Sequence, residues 1–163
     1  MLTNTIQSIL AHFSLAMLSL AILLSIFHKI IHKKTSFYEI LYCWIAFLAL
    51  GITGIYTFIM HGFFPTFTAE IIGWPNSPFQ LQVAIADLGF AFIALLSLRK
   101  NHGVRITAMV GNTVWLWGNA FLQARRMTLA QNFDLTNAGS WFYTDMIIPI
   151  VIIICLAKIK PHK

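Results

Sequence analysis

Asn112, Asn119, Gln123 and Arg126 follow one another at intervals of seven, four and three residues. On a helix that spacing draws one polar stripe along a single face. Amides and a guanidinium in line can hydrogen-bond a polar solute or an anionic headgroup. In hydrocarbon the same side chains can instead tie helices together, at about 0.6–2 kcal/mol each. Two acids, Asp87 and Asp145, also lie in apolar surroundings. A lone acid near a bilayer centre costs about 2.5–3.5 kcal/mol, so each should face a cavity, a proton or a cationic partner such as Arg125 or Arg126. His12 and His61 are expected near a membrane interface. A haem held by that pair is set aside. His28 and His32, four apart amid Lys29, Lys33 and Lys34, suit a basic collar against lipid headgroups better than a metal site. Six scattered histidines are too few for a membrane di-iron centre. No HExxH, phosphate-binding loop or dinucleotide fingerprint is present in the sequence. No metal and no cofactor is expected.

The elements that would position these groups are membrane helices. The chain has 163 residues, of which 58% are hydrophobic and 10% charged, with a mean hydropathy of +0.77. Soluble domains carry about 25% charged residues. Five stretches reach the roughly 20 apolar residues that a helix needs to cross a bilayer. They cover about 6–28, 39–61, 79–98, 104–125 and 140–158. None shows the period-2 alternation of a barrel strand. The expected fold is therefore all-α: one polytopic five-helix bundle filling residues 1–163, without a linker or internal repeat. The first stretch lacks a basic leader and a cleavage motif, and is expected to be retained as a helix. Cys43 and Cys155 fall within apolar runs and are expected to pack there.

Charge sets the expected orientation. Nine of the eleven basic residues fall on one side: Lys29, Lys33, Lys34, Arg99, Lys100, Arg105, Lys158, Lys160 and Lys163. By the positive-inside rule that side is cytoplasmic, which places the N-terminus outside and the C-terminus inside. A net charge of +6 distributed in this way points to topology and membrane lipids rather than nucleic acid. Small residues at Ala49, Gly51, Thr53 and Gly54, and at Gly111 and Gly118, are expected to let helices pack closely.

Before the third span the chain carries a Gly- and Pro-punctuated hinge, Ile72-Gly73-Trp74-Pro75-Asn76-Ser77-Pro78-Phe79-Gln80. Thr66 to Ile72 should form a short interfacial helix, with Phe63, Phe64, Phe67 and Trp74 at headgroup level and Gly73 as its stop. Ser77, Pro78 and Gln80 read as an N-cap, first helical residue and capping-box partner. Counted from Gln80, Asp87 lies about 10 Å deep. Every span can thus contribute a polar group to the outer half of the bundle.

Ile72-Gly73-Trp74-Pro75, Ser77-Pro78-Phe79-Gln80 and Ala86-Asp87-Leu88-Gly89-Phe90 form one motif block. Asn132-Phe133, Asn137-Ala138-Gly139, Tyr143-Thr144-Asp145 and Pro149 form another. With these blocks the chain resembles, over most of residues 40–155, a family of small bacterial multi-pass membrane proteins of unknown function. The resemblance implies no activity. That family's pattern has Asn where this chain has Asp87, and His where it has Asn119, whereas Asp145 matches. Asp145 is therefore the residue that the resemblance favours. A looser similarity to the DoxX-like four-helix membrane proteins is topological.

The leading expectation is a bacterial inner-membrane protein, non-enzymatic, with an outward-facing polar pocket. Glu70, Trp74 and Asn76 would form its lid and Asp87 and Asp145 its acidic floor. Asn119, Gln123 and Arg126 would form a polar wall, beside Asn112 and His61. It would bind or pass a small polar solute or a lipid headgroup. Two alternatives stay open: a quinone-linked membrane oxidoreductase or accessory subunit, and a structural partner in a membrane complex. A homo-oligomer is compatible with each.

Overall fold

A computed structural model describes residues 10–159 of the chain other than 100, 132 and 134. The start of the first expected span, three basic residues of the charge count (Lys100, Lys160, Lys163) and Asn132 of the second motif block lie outside the described residues. Helices with no strand make up the described secondary structure. They are α1 (Phe13–Ile31), α2 (Phe37–Phe63), α3 (Pro65–Ile72), α4 (Phe79–Leu96), α5 (His102–Leu129), α6 (Leu135–Ala138) and α7 (Ser140–Lys158).

Four of them, α1, α2, α4 and α7, are long and apolar enough to cross a membrane, which marks the chain as a membrane protein. Their outer surfaces agree. Leu23, Phe27, Ile30, Ile85 and Ile147 are exposed, as suits side chains that meet lipid rather than water. The fifth expected span, 104–125, falls inside α5. That helix has 28 residues but does not share the apolar composition of the other four. The polar stripe is the reason.

The core lies between α1, α2, α4 and α7, where Ala21, Ala46, Ala49 and Ala94 are buried beside Ile45, Ile148 and Ile152. Small residues allow close helix approach where no hydrophobic drive separates protein from lipid. Gly54 of α2 lies close against the backbone of α4. A Cβ there would sit 2.8 Å from the Ala91 Cβ and 3.0 Å from the Asp87 carbonyl oxygen of α4. Gly118 behaves differently from the expectation. It is exposed, and a Cβ on it would meet nothing within 4 Å, so this glycine packs against no neighbour in the bundle. Gly118→Ala should therefore raise stability by about 0.5–1 kcal/mol through backbone entropy alone. Thermal unfolding in detergent would show it, and a clear loss of stability would return Gly118 to a packing role.

Between Ile45 and Ile52 the backbone of α2 is π-helical. The wider turn inserts residues relative to an α-helical ladder and so rotates everything beyond it. Thr53 donates its hydroxyl to the Leu48 carbonyl, five residues back, at 3.1 Å. No sequence pattern announced this segment. Beyond it Thr53, Thr57 and His61 follow at intervals of four, on one face.

One of the two caps expected in the hinge forms. Gly73 adopts the left-handed conformation, φ 64° and ψ 35°, and ends α3. Trp74 N–H donates to the Ala69 carbonyl and Gly73 N–H to that of Glu70, which together make a Schellman motif. The expected capping box at the start of α4 does not form. The side chain of Ser77 caps nothing, its carbonyl accepts from Gln80 N–H, and the Gln80 side chain turns instead to His61 Nδ1. A tertiary partner has outcompeted the local one.

At the opposite end of the bundle lies an ion pair that the charge count obscured. Arg105, counted as a loop charge, is in the first turns of α5 and is only 1% exposed. Its Nη1 and Nη2 donate to Glu39 Oε2 and Oε1, both at 2.8 Å. Nε donates to the Ser97 carbonyl at 3.2 Å, and the guanidinium lies 4.9 Å from the Tyr42 ring centroid. Helices α2, α4 and α5 are tied together at this end.

Candidate functional site

The halves of the helices far from Arg105 enclose a cavity of about 710 Å³. Each long helix contributes from the same end. Ser14 comes from α1, Thr53, Thr57 and His61 from α2, Gln80 and Asp87 from α4. Asn112, Asn119, Gln123 and Arg126 come from α5, and Trp141 and Asp145 from α7. Trp74 of the hinge reaches the cavity too, so the α5 stripe, both acids, His61 and Trp74 are brought together. Glu70 is exposed and Asn76 lies outside this cavity; Asn76 donates to Thr66 Oγ1 at 3.0 Å and borders a shallower recess beside His61.

The expected partners of the acids are absent. Among the described residues the ion pair is that of Arg105 with Glu39; neither Asp87 nor Asp145 pairs with Arg125 or Arg126. Asp87 is held by a neutral donor, Trp115 Nε1, at 2.8 Å. That tryptophan stacks on Phe90, 5.1 Å between ring centroids. Asp145 is 5% exposed and borders the cavity, and among the described residues no group hydrogen-bonds its carboxyl. Pro149, four residues on and buried in the same helix, has no N–H to return to the Asp145 backbone carbonyl.

The α5 stripe divides by depth. Asn112 is buried and spends its amide on the Ala108 carbonyl of its own helix, not on a neighbour. Asn119 is half-buried on the cavity wall. Gln123 Oε1 is buried and accepts no hydrogen bond among the described residues. Arg126 closes the rim, its guanidinium 4.2 Å from the Trp74 ring centroid. Trp74 Nε1 is itself buried with no acceptor among the described residues. His12 belongs to the scaffold, its Nδ1 2.9 Å from Ser140 Oγ at the start of α7.

Sequence reasoning passed over Tyr56, Thr53, Thr57, Trp115 and Trp141, which line the cavity as well. Trp115 was within reach, since it sits three residues after Asn112 on the same stripe. Trp141 stands four before Asp145, on its face of α7. Tyr56 stacks against Trp141, 6.3 Å between centroids. Aromatic side chains and several polar groups thus stand over one acidic floor.

Fold and site together define a helical membrane protein with a largely apolar cavity, set with a few polar groups, at one end of its bundle. The chain belongs to the family of unknown function DUF6790, which it matches over residues 11–163. No curated protein matches it, and no solved structure does.

Proposed function

We propose that this protein is a five-span bacterial inner-membrane protein whose cavity opens to the outside and binds or passes a small polar solute or a lipid headgroup. The observation that carries this reading is Asp145, a buried carboxyl facing a cavity of about 710 Å³ without a partner among the described residues. Charges inside a bilayer are expensive, and they are kept where a ligand, a proton or a pathway uses them.

Helix α5 is counted as the fifth span on its two faces. Its 28 residues extend about 42 Å, enough to cross. Polar residues face the cavity, while Val110, Val114, Trp117 and Phe121 form an exposed apolar row on the other side. The stripe lowers its hydropathy without placing polar groups in lipid. For orientation, Lys29, Lys33, Lys34, Arg99 and Lys158 lie at the end away from the cavity, which supports that end as cytoplasmic.

Two measurements test this reading. In a protein whose Cys43 and Cys155 have been replaced, Asn76→Cys should react with a membrane-impermeant thiol reagent added outside intact cells, and Lys34→Cys should not. The reverse pattern would turn the pocket inward. Second, Asn119→Trp should fill the cavity while leaving the fold intact. Mass spectrometry of purified wild-type protein should then find a small molecule or lipid that the variant lacks. An identical complement in both would remove the pocket as a binding site, and a quinone in the wild type would move the reading to a quinone-linked oxidoreductase.

A further inference from the structure

The cavity is polarised along its depth. At the rim stand two donors: the half-exposed Arg126 guanidinium, stacked on Trp74, and the buried Trp74 Nε1–H, which has no acceptor among the described residues. Deeper, the Asp145 carboxyl has no hydrogen-bond donor among the described residues, and Pro149 removes the usual backbone donor to the Asp145 carbonyl. Asp87 lies on the same floor with a neutral tryptophan donor. The two carboxyl groups lie on the floor and the guanidinium at the rim, so the floor offers acceptor oxygens to a ligand's N–H donors. The guanidinium and the indole N–H at the rim suit an anion above it. Trp117 Nε1 donates to the Met146 carbonyl at 3.4 Å, which sets Asp145 near the level of residues 117–119 of α5. Arg126 then stands about 12 Å higher along the helix axis, a gap that long side chains shorten.

A small metal ion fits this floor poorly. Calcium takes 6–8 oxygen ligands, and no group of three or more His, Cys, Asp or Glu side chains that could hold a metal occurs among the described residues. The walls are aromatic instead, with Tyr56 stacked on Trp141 and Phe90 on Trp115. Aromatic faces beside carboxylates favour an organic ammonium, which gains from both. A carboxyl group that lacks a donor favours one that still carries N–H groups, hence a primary ammonium.

We infer that the ligand is a phosphoethanolamine-type zwitterion, its ammonium seated against Asp145 and Asp87 and its phosphate against Arg126 and Trp74 Nε1–H. This rests on the proposed pocket and narrows its ligand to one chemistry. The group can come from a membrane lipid headgroup or from a free solute.

The test is a tryptophan-fluorescence titration of the purified chain in a non-ionic maltoside, because Trp74, Trp115 and Trp141 all line the cavity. The probes are phosphoethanolamine, ethanolamine alone and inorganic phosphate alone. Phosphoethanolamine should bind more tightly than either fragment. Asp145→Asn should weaken it by about 30-fold or more, the usual consequence of removing one member of a buried charge pair. Arg126→Gln, at the half-buried rim, should weaken phosphoethanolamine and leave ethanolamine unchanged. Native mass spectrometry with added phosphatidylethanolamine or phosphatidylglycerol distinguishes the sources. Selective retention of the ethanolamine lipid assigns the headgroup, and binding of the soluble probe alone assigns a free solute. Phosphoethanolamine binding no better than inorganic phosphate, or unchanged in both variants, overturns the inference. If Asn119→Trp still expels some other molecule, the pocket stands and only the zwitterion falls. If it expels nothing, the pocket falls as well.

Discussion

Replacing Arg105 with methionine, Glu39 left in place, should lower the stability of the bundle by about 3–5 kcal/mol, because it strands a buried carboxylate. The side chain is 1% exposed and meets Glu39 through two parallel bonds of 2.8 Å. Its third donor holds the Ser97 carbonyl, just beyond the end of α4. Loss of the guanidinium therefore frees groups on two other helices at once. Replacing both partners, Glu39→Met with Arg105→Met, should recover most of the loss, since removal of a whole buried pair is often close to neutral. Arg105→Lys should fall between, because an ammonium cannot reproduce the planar fork. Thermal unfolding in detergent of the wild type, Arg105→Met, Glu39→Met and the double variant gives the double-mutant cycle. Additive single and double losses would show that the pair is not coupled, and would reduce Arg105 to a topology charge.

This pair also shows where sequence stops. The spans were legible because an uninterrupted apolar run has few other uses. The observed helices Phe79–Leu96 and Ser140–Lys158 start where the runs at 79 and 140 do. The α5 stripe was legible because period 3.6 survives any tertiary arrangement. Arg105 and Glu39, in contrast, are 66 residues apart, and nothing local says that one answers the other. The same limit governs Gln80, which has the right spacing for a capping box and yet bonds His61, 19 residues away. The π-helical stretch Ile45–Ile52 is hidden for another reason. Its residues suit an α-helix equally well, and the wider turn is decided by packing and by the following face of Thr53, Thr57 and His61. The cavity was half legible. Its polar stripe and acids could be read, but its aromatic walls look like ordinary membrane residues until the helices are assembled.

Gly54→Val should be the most damaging small substitution on the α2–α4 seam, with a loss of about 1–3 kcal/mol from overpacking. The new Cβ would meet two things that cannot step aside, the Ala91 Cβ at 2.8 Å and the Asp87 carbonyl oxygen at 3.0 Å. A methyl on a short side chain and a backbone oxygen move only if α4 moves. Gly51, one turn away, gives the contrast. Its nearest neighbour is the Leu95 side chain, with Cδ2 at 2.5 Å, which can rotate; its backbone contact, the Ala46 carbonyl oxygen at 3.1 Å, belongs to α2 itself and not to α4. Gly51→Ala should accordingly cost less than Gly54→Ala, although both gain the same helix propensity of up to about 1 kcal/mol over glycine. The seam also connects stability with the site. Displacing α4 at Asp87 pulls its carboxyl from Trp115 Nε1, now 2.8 Å away. Gly54→Val should therefore shift tryptophan emission and weaken any ligand held at the acidic floor, while Gly51→Ala leaves both near wild type. Equal losses at the two glycines would mean that the seam yields as a whole. Unchanged emission in Gly54→Val would mean that Asp87 is held in place by something other than the approach of α2 to α4.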